Sequence, residues 1–160
     1  MRGCAPWLIA LALAAAACGG PTVDLATGLK VVDIKTGWRD EGIVEGQNKL
    51  VPIAEFKLQN LSDQPLRVLQ VNAVFRRFNE ERELGAHFRA VTQSEGLAPG
   101  DTSQTIAVKS NFGYKGIEPR AVMLANSQFV DAKVEIFAKY GSQQWKRIAE
   151  YPIDRQLTAQ

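Results

Sequence analysis

Hydrolysis or group transfer needs a positioned base, an activated nucleophile or two carboxylates of unequal acidity. This chain offers one histidine, His87, so a triad would have to pair it with a serine such as Ser94 or Ser110 brought near by folding. Glu80, Glu81 and Glu83 could be imagined as the carboxylates of a glycosidase. They are interleaved with Arg76, Arg77 and Arg82, however, and solvated carboxylates of that kind keep their ordinary acidity. The run reads as a soluble, charged hairpin tip that also blunts edge pairing. Metal binding calls for several His, Cys or carboxylate ligands at defined spacing, and no such spacing occurs. Neither GxxxxGK nor GxGxxG is present to cradle a phosphate. The expectation is a non-catalytic chain without metal or cofactor.

Binding chemistry has better material. Phe112 and Tyr114, set among Gly113 and Gly116 in the irregular stretch Ser110–Gly116, form the candidate binding loop. They could present aromatic faces to a sugar ring or a protein partner, although loop aromatics also fold back to cap a core. Trp38, Trp145 and Tyr140 pose the same choice between a sugar platform and core or rim packing, and packing is the expectation. Arg76, Arg77, Arg82 and Arg89 alternate with glutamates as on a salt-bridged surface. With 19 basic against 17 acidic side chains, the chain lacks the clustered basic excess that nucleic-acid binding requires.

These residues must be positioned by strands. Short alternating runs separated by turn residues occupy almost everything after Gly28. Leu29–Trp38 comes first, then a polar loop at Gly42–Asn48, then Lys49–Gln59 with Ala54, Phe56 and Leu58 on one parity. Asn60-Leu61-Ser62-Asp63-Gln64-Pro65 is a turn, because Asn, Ser and Asp bond their own backbone and Pro presets φ. Leu66–Arg77 is the most regular strand, with Leu69, Val71, Ala73 and Phe75 in phase. Leu84–Thr92, Thr102–Ser110, Val130–Tyr140 and Gln144–Pro152 follow. The one break is Ser110–Gln128, where Pro119–Asn126 is expected to form a short helix. The prediction is an all-β antiparallel sandwich of seven or eight strands, spanning residues 29–158, with one short helical excursion.

The N-terminus reads as a cleaved export signal over residues 1–17: a positive start at Arg2, an apolar stretch Trp7–Leu13, and small residues Ala15-Ala16-Ala17 before Cys18. The apolar run is shorter than the roughly 20 residues that cross a bilayer. This segment resembles the bacterial lipoprotein signal, whose lipobox ends in two small residues and a cysteine; Ala15 stands where that motif usually has Leu. The resemblance implies that Cys18 is the lipid-attachment residue, thioether-linked to diacylglyceryl and left as the new N-terminus. Gly19, in place of the Asp that marks inner-membrane retention, implies the outer membrane, facing the periplasm. Residues 18–28 would form a lipidated tether whose extended reach is about 35 Å. Removing residues 1–17 leaves 143 residues, enough for one domain. Cys4 would leave with the signal and Cys18 would carry lipid, so no disulfide scaffold is expected.

A second resemblance lies in the body of the chain. Phe56-Lys57-Leu58-Gln59-Asn60, Pro65-Leu66, Val71-Asn72-Ala73-Val74-Phe75, Glu83-Leu84-Gly85 and Leu97-Ala98-Pro99-Gly100-Asp101-Thr102 are similar to the FxLYD domain and its immunoglobulin-like relatives in bacterial envelope proteins. The family's Tyr-Asp is replaced by Arg76-Arg77-Phe78-Asn79. The resemblance implies an Ig-like extracytoplasmic sandwich and supplies no catalytic residues. Taken together, the expectation is a lipid-anchored envelope protein acting as a binding or accessory subunit, its protein partner reached through a sheet edge or the Ser110–Gln128 excursion. The alternative is a module for glycan, peptidoglycan or a small ligand.

Overall fold

Alternating apolar residues build two antiparallel sheets packed face to face in the computed structural model, which describes residues 22–92 and 95–158. The elements run α1 (Leu25–Gly28), β1 (Leu29–Val44), β2 (Gln47–Asn60), β3 (Leu69–Arg77), β4 (Glu83–Ala90), β5 (Ile106–Lys109), β6 (Tyr114–Gly116), α2 (Arg120–Ala125), β7 (Ala132–Tyr140) and β8 (Lys146–Pro152). One sheet has the order β1-β2-β5, with β6 also on β2; the other has the order β4-β3-β7-β8. The fold is thus the expected all-β sandwich. The candidate signal, Cys18 and the start of the tether lie outside the described residues, as does Ser94.

The periodicity does what a period of two requires. Leu69, Val71, Ala73 and Phe75 of β3 are fully buried, and so are Ala132, Val134, Ile136 and Ala138 of β7. The register sets Val71 beside Ala138 and Phe75 beside Val134, so the two strands present one continuous apolar face to Phe56 and Leu58 of β2. Ile106 and Val108 of β5 point inward, as their parity predicts.

Three departures have local causes. The polar loop expected at Gly42–Asn48 is a tight hairpin, because Glu45 and Gly46 both take positive φ (54° and 76°) and turn β1 directly into β2. A second helical piece, α1, precedes β1, its first turn closed by the Asp24 carboxylate accepting the Ala26 N–H at 3.0 Å. Val23 and Leu25 enter the core, so the packed unit begins ahead of Leu29.

The two ends of the sandwich differ. At the Asn60 end, α1 meets the 60–65 turn through the Leu61 N–H to Gly28 carbonyl bond (2.9 Å), and Leu66 pairs with Leu97. At the Arg77 end, Arg77 pairs with Ala132, and β3 turns toward β4. On the solvent face of β7, Glu135 is nearly buried among Arg76 (3.0 Å), Lys133 (3.5 Å) and Arg147 (3.4 Å). Burial pushes its acidity toward higher pKa, but the Arg76 hydrogen bond and charge, aided by Lys133, outweigh it and hold the carboxyl below the usual range. A carboxyl depressed in the folded state stabilises above its unfolded pKa of about 4.3, and that stability is lost as pH falls through the folded value. Glu135→Gln should therefore cost about 2 kcal/mol at pH 7. The deficit should shrink below about pH 4; urea titrations at pH 7 and pH 3.5 would measure both.

Candidate functional site

The candidate loop is set by close backbone approaches. Leaving β5, Ser110 is buried and its hydroxyl accepts the Phe112 N–H at 3.1 Å, which turns the chain back over β2. Gly113 then lies so close to β2 that a Cβ there would overlap the Leu50 carbonyl oxygen. Gly85 of β4 likewise leaves space for the Ser110 hydroxyl. The loop is wedged between both sheets at the Arg77 end.

This wedge separates the two aromatics that the sequence groups together. Tyr114 enters β6 opposite Leu50 and turns its ring onto Trp38 (centroids 5.4 Å apart) and Phe129 (4.6 Å). Its hydroxyl donates to the Val130 carbonyl at 2.8 Å, and the Arg77 guanidinium lies over the ring at 5.4 Å. Burial pushes the Tyr114 hydroxyl pKa up, against the opposing Arg77 charge. Arg155 sits over Phe129 at 5.3 Å and clamps Asp131 with two bonds, at 2.6 and 3.2 Å. Tyr114 is thus part of a plug that closes the core, and only Phe112 of the pair faces solvent, 66% exposed.

Phe112 lines a cleft of about 480 Å³ with Arg77, Glu80, Arg82, Glu83, Leu84 and Gly85. That volume is in the range of small-ligand sites. Glu80 is held by Arg77 at 3.6 Å and Glu83 by Arg76 at 3.4 Å. Arg82 makes no ion pair among the described residues, which leaves one uncommitted guanidinium beside an exposed ring. Such a pair can recognise a carboxylate or phosphate next to an apolar group. The charged tip and the aromatic loop each stand out in sequence. Their meeting across some 30 residues has no signal in a single chain.

The other candidates are dispersed. His87 on β4 is half-buried, and its Nδ1 lies 3.2 Å from the Lys109 carbonyl, so that nitrogen carries the proton and ties the two sheet edges together. Trp38 is fully buried, Tyr140 is half-buried at the far end of β7, and Trp145 stacks edge-on against Phe88 at 6.2 Å; no shared sugar platform forms among them. Among the described residues no group of His, Cys, Asp and Glu could hold a metal, and no helix is long and apolar enough to cross a membrane. A larger groove of about 840 Å³ runs between the end of β4 and Thr102–Ala107, away from Phe112.

No family model and no curated protein matches the chain. Among solved structures it is similar to a Northeast Structural Genomics Consortium target solved by X-ray crystallography, at 13% identity over 81% of this chain and 89% of that one, with a TM-score of 0.47. It is also similar to an ApaA candidate from Bordetella pertussis (16% identity, 78% and 91% covered, TM-score 0.41). A third likeness is to a protein of Arabidopsis thaliana solved in solution (12% identity, 79% and 80% covered, TM-score 0.42).

Proposed function

We propose that this chain is a lipid-anchored cell-envelope protein, non-catalytic, that serves as a binding or accessory subunit of an envelope complex. The signal-like residues 1–17 and Cys18 supply the location, the lipid being attached at Cys18 and the domain held at the outer membrane on its periplasmic side. The observation that carries the binding role is the cleft that joins exposed Phe112 to the unpaired Arg82 on a rigid sandwich. An aromatic side chain and an arginine at the centre of a patch are the residue types that dominate interface energetics. A protein surface bearing a carboxylate beside an apolar side chain fits that pair.

The experiment is crosslinking of the full-length chain in cells, comparing it with Phe112→Ala. Phe112 buries little, so the variant keeps its fold, and Tyr114 is left in place because it plugs the core. The expected result is one dominant protein adduct that falls at least fivefold in the variant. An adduct unchanged by Phe112→Ala removes the cleft as the contact, and absence of any protein adduct turns the reading toward a glycan or small ligand.

A further inference from the structure

Sheet edges expose unpaired backbone, and natural β proteins protect them by shortness, bulges, proline, charge or cover. Most edges here are protected in these ways. β1 carries two bulges, and its Trp38 is bonded to the C-terminal segment, donating to the Gln156 carbonyl at 2.8 Å and accepting the Thr158 N–H at 2.9 Å. β5 and β6 are four and three residues long. β8 has a bulge, ends in Pro152 and carries Lys146, Arg147 and Glu150. From Gly85 to Ala90, β4 has no bulge, no proline and no lysine; its bulge falls before that, between Glu83 and Gly85.

The ladder fixes where the free groups point. The Val91 N–H donates to the Leu69 carbonyl at 2.8 Å, continuing the register that pairs Gln70 with Ala90. Antiparallel alternation then aims the N–H and C=O of Ala86, Phe88 and Ala90 away from β3. None of the three has a backbone partner on that side among the described residues. Phe88 is 54% exposed; paired with Asn72, its ring lies on the outer face of the sheet at this edge, edge-on to Trp145.

Charge selects the occupant. Arg82 and Arg89 flank this edge, both exposed, and neither makes an ion pair among the described residues. Glu83 is engaged by Arg76, and Glu95 stands in the groove beside the end of β4. We infer that β4 is a strand-addition site for an extended, acidic segment of a partner protein, which bonds to the outward backbone of Ala86, Phe88 and Ala90 and sets a carboxylate against Arg89. Main-chain bonds give such a contact its affinity, and the alternating side chains give it selectivity. An apolar residue of the segment covers Phe88, and the next one, on the opposite face, carries the acid. The site uses neither Cys18 nor Phe112 and shares only Arg82 with the cleft proposed above, so Phe112→Ala separates the two readings.

The test is amide hydrogen exchange by NMR on the full chain, with the peptide acetyl-Thr-Val-Glu-Val-Glu-Val-Thr-amide and its lysine counterpart as probes. The glutamate peptide should slow exchange at Ala86, Phe88 and Ala90 at least tenfold and bind at least fivefold more tightly than the lysine peptide. Arg89→Glu should reverse that preference, and Phe112→Ala should leave it unchanged. Combined Ala86→Pro and Ala90→Pro removes two outward donors, spares the β3–β4 bonds and should abolish binding. The proposal is overturned by exchange that stays unchanged at millimolar peptide, by equal binding of the lysine peptide, or by binding that survives the proline substitutions. Concentration-dependent protection of the same three amides without peptide would also overturn it, by assigning the edge to a second copy of the chain.

Discussion

Replacing Asn60 by leucine is expected to destabilise the domain by about 3 kcal/mol, from four lost hydrogen bonds at roughly 1 kcal/mol each, offset in part by the apolar replacement. Asn60 is fully buried and uses its whole side chain. Its Nδ2 donates to the Gln64 and Leu97 carbonyls, both at 2.8 Å, and its Oδ1 accepts the Ser62 N–H at 2.9 Å and the Ser62 hydroxyl at 2.7 Å. Its backbone also donates to Asp101 and accepts from Gly100. One residue therefore stitches the 60–65 turn to the 97–101 turn. Asn60→Asp gives a sharper test. A carboxylate would face two carbonyl oxygens, so its folded pKa would rise above the unfolded value. Stability of that variant should increase as pH falls from 7 to 5, since the protonated acid regains a donor. Thermal melts at the two values decide it; a variant equally stable at both would show that the turns tolerate the charge.

Trp38→Ala is expected to cost about 4 kcal/mol, the range for emptying a large aromatic site. Trp38 has no exposed surface and meets Phe129 edge-on at 4.8 Å as well as Tyr114, so its loss would open the plug at the Arg77 end from beneath. Trp38→Phe should lose far less, about 1 kcal/mol. The indole Nε1 has no protein acceptor, and phenylalanine removes that buried donor while keeping most of the ring contact. Urea unfolding of the two variants, at unchanged m-value, gives the comparison directly. Equal losses would mean that the volume emptied at this site does not set the cost.

Sandwich architecture was legible because one wet face per strand leaves a period of two in the sequence. β3 and β7 keep their inward parity apolar from Leu69 to Phe75 and from Ala132 to Ala138, even though Val74 and Phe137 interrupt the outward one. The helix at Arg120–Ala125 was legible for a different reason, a proline ahead of the first turn and an asparagine after the last. Other features depend on contacts that no local pattern encodes. Val23 and Leu25 look like tether until α1 folds them against the sheets. Tyr114 and Phe112 sit two residues apart, yet Phe112 lies in the loop ahead of β6, where the Ser110 hydroxyl bond and the Gly113 approach leave it outward while Tyr114 turns in. Arg82 becomes interesting only when the β3–β4 turn brings it to Phe112. The open edge of β4 emerged only after its neighbours were known, since an edge is defined by the strand that is missing.

The placement of the two ends gives the molecule a polarity. Its N-terminal segment joins at the Asn60 end, where Val23 and α1 are packed, while the Phe112 cleft opens at the Arg77 end. The nine residues of β3 run between them, a distance of about 30 Å at roughly 3.4 Å per residue. Whatever grips the N-terminus therefore holds the cleft outward, like a lamp on a short post. Were Cys18 the lipid-bearing residue proposed above, Val23 being fixed in the core would leave that anchor a reach of only about 18 Å. Such a domain could sweep little surface, so a partner would have to come to the cleft.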